Sequence, residues 1–213
     1  MGTIKKGILG GFSGKVGTVV GSSWKGIAYM RSLPHKVKNP RTEPQLSQRT
    51  KFAITLSYLR PMNGLLRSGW KLYANKQSPI NAAMSYTLAN AITGTYPDYA
   101  LDTGKVMISR GSLSSAANAS ATPASGGKII FAWDDNSGSS SAKQTDKALI
   151  AVVNTAKSET VFDTAGAARA ETSQSVNLPA DWVGETVETY LGFISEDGKE
   201  VANSVYLGSL TVA

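Results

Sequence analysis

Lys128-Ile-Ile-Phe-Ala-Trp133 is a short β-favouring run set between Gly126-Gly127 and Asp134-Asp135-Asn136, and its texture decides how the C-terminal half is read. From Tyr96-Pro97 onward, runs of this kind recur between stretches of Ser, Gly, Asn and Asp. They cover Lys105 to Arg110, Lys128 to Trp133, Lys147 to Asn154, Glu159 to Phe162, Gln174 to Leu178, Thr186 to Ser195 and Ser204 to Val212. Seven strands in about 110 residues fit an immunoglobulin-like β-sandwich. The chain has no cysteine, so the fibronectin type III variety is the nearer pattern, with Trp133 on the second strand and Tyr190 on the sixth as an inter-sheet core pair.

The first half has a different texture. Gly14 to Ser32 holds two β-favouring runs around Gly21-Ser-Ser, which predicts a hairpin with Val16, Val20, Trp24, Ile27 and Tyr29 as packing residues. Glycines at 7, 10, 11, 14, 17, 21 and 26 make such a ribbon costly by itself, because they lose backbone entropy and bring no side chain. A neighbouring surface is therefore expected. After a Pro-bounded basic connector, Thr42-Glu43-Pro44-Gln45 reads as a helix start. Phe52, Leu56, Leu59, Leu66, Trp70 and Tyr73 follow at helical spacing as a buried stripe, which Pro61 splits into two helices or one kinked helix. Ser78-Pro79 repeats the start signal, and Ile80, Met84, Leu88, Ala91 and Ile92 predict a helix ending at Gly94. The expected fold is α+β: a Gly-rich ribbon with helices over residues 1–96, and a seven-stranded sandwich over 97–213.

Charge divides along the same line. Residues 1–96 carry 14 Lys and Arg against a single acid, Glu43, for a net +13; residues 97–213 carry 8 against 14, for −6. One chain holds both signs, segregated. The absence of cysteine excludes thiolate metal sites and cysteine nucleophiles. No apolar run approaches the ~20 residues of a membrane-spanning helix. The apolar stretch after Lys5-Lys6 is too short and Gly-rich for a secretory leader, so the cytoplasm, a particle assembled there such as a virion, or leaderless export is the expected location.

Catalytic signatures are weak. Gly14-Lys15 resembles the end of a phosphate-binding loop, but Leu9 stands where that motif needs glycine and Val16 where it needs Ser or Thr. His35 is the only histidine, with no acid near it in sequence to orient it as a base, and no Gly-x-Ser-x-Gly elbow occurs. Asp134, Asp135 and Asp146 flank a Ser-Gly-rich loop whose oxygen density suits either a cation such as calcium or a solvated loop built on Asx turns. Glu196-Asp-Gly-Lys199 reads as a tight hairpin turn. Neither a cofactor nor a small-molecule substrate is indicated.

Gly10-Gly-Phe-Ser-Gly-Lys-Val-Gly-Thr-Val-Val20, Trp24-Lys-Gly26, Arg31-Ser-Leu-Pro34, Asn39-Pro-Arg-Thr-Glu-Pro-Gln-Leu-Ser-Gln-Arg49, Asn81-Ala-Ala-Met-Ser-Tyr86 and Glu196-Asp-Gly-Lys199 together resemble an uncharacterised family found in Bacteroidota. The resemblance spans nearly the whole chain and transfers no catalytic residue. Asn39 to Arg49 also resembles pieces of phage-derived structural proteins, which implies a virion role.

The basic half is the functional candidate. Lys15, Lys25, Arg31, Lys36, Lys38, Arg41 and Arg49 are interleaved with aromatics such as Trp24 and Tyr29, a composition that serves a subunit contact or a polyanion. The leading expectation is a non-enzymatic structural or adhesion protein that self-associates, its basic N-terminal surface docking on the acidic sandwich of the next copy to give an oligomer or filament. The alternative is a binder of nucleic acid or another polyanion through the basic half.

Overall fold

A computed structural model of the chain describes residues 2–4, 7, 10–24, 26–33 and 41–213. Compactness divides it into two units, Met1–Thr42 and Glu43–Ala213.

The first unit is an antiparallel sheet of β1 (Thr3–Ile4), β2 (Phe12–Val16), β3 (Val19–Trp24) and β4 (Ile27–Ser32), in that spatial order. Val16 pairs with Val19 and Trp24 with Ile27, so both connections are two-residue loops, with Gly17 at φ 57° and Gly26 at φ 87°. Glycine takes that left-handed backbone without the Cβ clash that a tight hairpin imposes on other residues. The turn expected at Gly21-Ser-Ser instead lies inside β3, where Gly21, Ser22 and Ser23 pair with Met30, Tyr29 and Ala28. Gly21 serves packing there. A Cβ on it would come 2.5 Å from Phe12 Cδ2, so only glycine lets the Phe12 ring lie across the strand.

In the second unit, α1 (Glu43–Leu59) and α2 (Asn63–Gly69) meet at Arg60-Pro61-Met62. Pro61 has no N–H to continue the ladder, so the break falls where the sequence places it. Burial starts late along α1, at Thr55, Tyr58 and Leu59, and continues through Met62, Leu65, Leu66 and Trp70. Phe52 and Tyr73, expected in the buried stripe, are 49% and 40% exposed, because they lie beyond the stretch that the sheet covers. α3 (Pro79–Asn90) starts as expected, Ser78 Oγ accepting from the Asn81 N–H at 3.3 Å. It ends four residues before Gly94. Ile92 instead opens a hairpin of β5 (Ile92–Thr95) and β6 (Asp98–Leu101), where Gly94, at φ 84°, passes so close that a Cβ would meet the Asp98 carbonyl oxygen at 2.3 Å.

The remaining strands are β7 (Ala117–Ala124), β8 (Lys128–Asp134), β9 (Lys147–Asn154), β10 (Glu159–Asp163), β11 (Ser173–Asn177), β12 (Thr186–Ile194) and β13 (Val205–Thr211). They form two antiparallel sheets, ordered β11-β8-β7 and β10-β9-β12-β13. Among the described residues the chain is thus α+β, with three helices and thirteen strands in several antiparallel sheets.

Six of the runs read from the sequence are strands, but Lys105 to Arg110 is not. Its Val106 and Ile108 are buried, yet its backbone is spent outside a ladder: the Ile108 N–H donates to Ser204 Oγ at 2.9 Å and the Arg110 N–H to the Gly69 carbonyl at 3.0 Å. The strand in its place is β7, Ala-Asn-Ala-Ser-Ala-Thr-Pro-Ala, which has little β propensity and is held by pairing with β8.

β9 is buried along nearly its whole length, and the reason is layering. Ala148, Ile150 and Val152 face Ile129, Phe131 and Trp133 of β8 and Val187, Leu191 and Phe193 of β12 in one core. Leu149, Ala151 and Val153 face Leu59, Met62, Leu65 and Leu66 of the helices, with Tyr190, in the other. The four-stranded sheet is therefore the middle of three layers, helices on one face and the β11-β8-β7 sheet on the other. The expected pair of Trp133 with Tyr190 does not form, because Tyr190 and Phe193, three residues apart, point to opposite faces of β12. Trp133 packs edge-on against Phe193 at 5.5 Å, while the Tyr190 hydroxyl meets that of Tyr58 on the helical side at 2.7 Å.

Candidate contact surface on the N-terminal sheet

Directly opposed residues of an antiparallel pair share a face of the sheet. Lys15 opposes Val20, Val20 opposes Arg31, Ser22 opposes Tyr29 and Trp24 opposes Ile27. One face therefore gathers Lys15, Val20, Arg31, Ser22, Tyr29, Trp24 and Ile27, with the basic side chains at one end and the aromatic ones at the other. The other face carries Phe12, Gly14, Val16, Val19, Gly21 and Met30. Four residues singled out in the sequence, Lys15, Trp24, Tyr29 and Arg31, are thus brought together by register alone.

This surface is solvated to a degree unusual for its composition. Gly21 is the only buried residue among the described residues 2–33, while Trp24 is 64%, Ile27 68% and Met30 70% exposed. The residues expected to pack the hairpin, Val16, Trp24, Ile27 and Tyr29, thus face outward. Residues 1–42 hold 8 Lys and Arg and no acid, whereas residues 43–213 hold 14 against 15 acids. Charge and packing divide at different places: the helical stretch 43–96 is basic, yet it shares a core with the acidic strands.

Of the remaining candidates, Lys25, Lys36, Lys38 and His35 lie outside the described residues. Arg41 is exposed at φ 48°, just before α1. Arg49 is exposed on α1, in the second unit, beside a shallow apolar depression formed with Phe52, Ala53 and Leu56.

The three aspartates considered for a cation are used separately. Asp134 accepts from Asn118 Nδ2 at 2.6 Å, and Asp135 accepts from the Ser137 N–H at 2.9 Å, contacts with Ser137 that hold its carboxyl below the usual range. Asp146 is fully buried against Arg169, with Nε to Oδ2 at 3.2 Å. Among the described residues no group of three or more His, Asp or Glu side chains is placed to hold a metal.

Arg169 is the residue that sequence reading passed over. Its guanidinium donates to Asp146, to Asn136 Oδ1 at 2.6 Å and to the Ser114 carbonyl at 2.9 Å, and lies 3.9 Å from the centre of the Phe193 ring. Burial pulls its pKa down while Asp146 pulls it back up. Its own carbonyl accepts from Trp133 Nε1 at 2.8 Å. One ion pair thereby ties the β8–β9 loop and the segment before β7 to the core. A second hidden polar device is the chain Tyr58–Tyr190–Thr103, in which the Tyr190 hydroxyl donates to the Thr103 carbonyl at 2.8 Å and accepts from Tyr58. Burial pushes both phenols well above their ordinary value and keeps them neutral donors.

Among the described residues no helix is long and apolar enough to cross a membrane. The molecule belongs to the class of mixed α+β proteins, with several antiparallel sheets divided between two compact units. Residues 11–208 match the model of a family of unknown function (DUF6266), and the chain belongs to that family. No curated protein matches it.

Proposed function

We propose that this is a non-enzymatic assembly protein whose N-terminal sheet is the contact surface, docking on the acidic sandwich of a neighbouring copy. The observation that carries the reading is exposure: apolar and aromatic side chains of the sheet face solvent, and among the described residues 2–33 only a glycine is buried. A small sheet without a covered hydrophobic face is marginal in water, so it gains stability by burying that face on another surface. Charge favours the acidic half as receptor, since Asp134, Asp135, Glu171, Asp181, Glu196 and Glu200 are exposed there. A contact between two different patches repeats head to tail and closes a ring or extends a filament. Subunits of virions and surface filaments are built this way. The strand orders β11-β8-β7 and β10-β9-β12-β13 support reading the receptor as a seven-stranded fibronectin type III-like sandwich.

Light scattering on the full chain after size exclusion tests this. The wild type forms oligomers whose population grows with concentration; Ile27→Asp or Arg31→Glu shifts them to monomer, and ~0.5 M salt weakens them. A strict monomer at high concentration overturns the reading.

A second reading is favoured by the register itself, which puts Lys15 and Arg31 on one face with Trp24 and Tyr29, a cationic and stacking surface for single-stranded nucleic acid. A gel shift with mixed single-stranded DNA and RNA decides it. Affinity that falls steeply with salt supports it, and no shift at low salt retires it.

A further inference from the structure

A different site lies in the second unit, where Arg110 sits among three aromatic rings. Its guanidinium carbon is 4.6 Å from the centre of the Tyr73 ring, 5.2 Å from Tyr86 and 6.0 Å from Trp70. The rings hold one another, Trp70 against Tyr73 at 5.9 Å and against Tyr86 at 5.5 Å, and Trp70 is fixed by its Nε1 bond to the Met107 carbonyl at 3.1 Å. Arg110 is anchored through its own N–H to the Gly69 carbonyl. Unlike Arg169, it is partnered by no carboxylate among the described residues, and no hydrogen bond there uses its guanidinium N–H groups. A half-buried guanidinium held among aromatic rings, with its donor fork unspent, is preorganised for an oxyanion.

The space beside it is a groove of about 310 Å³, at the small end of the range for small-molecule sites. Gln77 and Asn90 also line it. Their amide NH₂ groups donate to the Tyr73 and Tyr86 carbonyls at 3.3 and 2.7 Å, which fixes the amides and leaves their oxygens as acceptors. Ser85 adds a hydroxyl. The groove therefore offers a cationic fork for an anion beside acceptors for hydroxyl groups.

We propose that Arg110 and this groove bind a small polyhydroxylated oxyanion, the chemistry shared by acidic sugars and sugar phosphates. The guanidinium grips the carboxylate or phosphate, while Gln77, Asn90 and Ser85 take the hydroxyls. Every residue of this site belongs to the second unit.

Titration calorimetry of the full chain with D-glucuronate, glucose 6-phosphate, neutral glucose and inorganic phosphate tests the proposal. At least one charged sugar binds with one site per chain, and the tighter of the two identifies carboxylate or phosphate as the anion. Glucose and inorganic phosphate each bind at least about tenfold more weakly, since each keeps half of the recognition. Arg110→Gln weakens the charged sugar by about tenfold or more, and Arg110→Lys also weakens it, because a point charge lacks the planar fork. Ser85→Phe fills the groove and abolishes binding while leaving Arg110 in place, so it remains decisive if an Arg110 variant fails to fold. Failure of both charged sugars to bind at millimolar concentration overturns the proposal. So does wild-type affinity in Ser85→Phe or in folded Arg110→Gln, and so does inorganic phosphate binding as tightly as the sugars.

Discussion

The N-terminal sheet and β9 are both built from short β-favouring runs, yet they stand at opposite extremes of burial. In β9 seven of eight residues are buried because a sheet covers one face and helices the other. In β4 all six are exposed. The same kind of local sequence is spent on stability in one place and left at the surface in the other. A layered body with two cores holds itself together, whereas among the described residues of the sheet only Gly21 is buried.

The largest effect expected from breaking this contrast comes from the interior of the body. Asp146→Ala leaves the Arg169 guanidinium buried without its counter-charge, and such losses cost about 3–5 kcal/mol. Chemical denaturation should show a lower midpoint at unchanged slope; a loss under about 1 kcal/mol would mean that Asn136 and the Ser114 carbonyl suffice. Next come Leu149→Ala and Ile150→Ala, neighbours on β9 facing different cores, each expected to cost about 2–5 kcal/mol. Ile27→Ala and Met30→Ala should change the same midpoint by less than about 0.5 kcal/mol in the monomer. If these proved as costly as the β9 changes, the sheet would already be buried in the single chain, and the assembly reading would lose its basis.

Tyr58→Phe is a smaller change than those in β9, since Tyr190 keeps its bond to Thr103 and loses only the one from Tyr58; about 1 kcal/mol is expected. Hydrogen exchange sharpens the comparison without mutation: β9 amides should exchange only on global opening, and β4 amides much faster unless the protein is assembled. The smallest effect is electrostatic. The Lys199 N–H, the Ser195 hydroxyl and the Lys199 ammonium hold the Asp197 carboxyl well below the ordinary 3.8. A depressed carboxylate stabilises the folded state above its unfolded pKa, and that contribution is lost as pH falls below 3.8 through the lowered folded value. Asp197→Asn should flatten this acid limb of the stability profile.

Legibility in the sequence followed locality. The break at Pro61, the cap at Ser78 and six of the seven C-terminal strands were readable because proline, capping hydroxyls and β-branched runs act on the backbone around them. β7 was not, because its alanines and serines become a strand only through pairing with β8. The hairpin turns were misplaced because Gly21 resembles a turn glycine, while its reason is the Phe12 ring across the strand. For the candidate surface, residue types were legible, but that Lys15, Arg31, Tyr29 and Trp24 share a face depended on register. Arg110 was invisible as a receptor, since its three rings come from distant positions and nothing adjacent in sequence marks its fork as unspent.

Composition and local chemistry alone determined that this chain joins a basic, glycine-rich start to a β-rich acidic end through a helical middle. Where the units divide was decided only in three dimensions, because the helices bury their apolar face on the sheet and so tie the basic stretch 43–96 to the acidic strands. Charge is a property of residues and can be counted along the chain; burial depends on which surfaces meet.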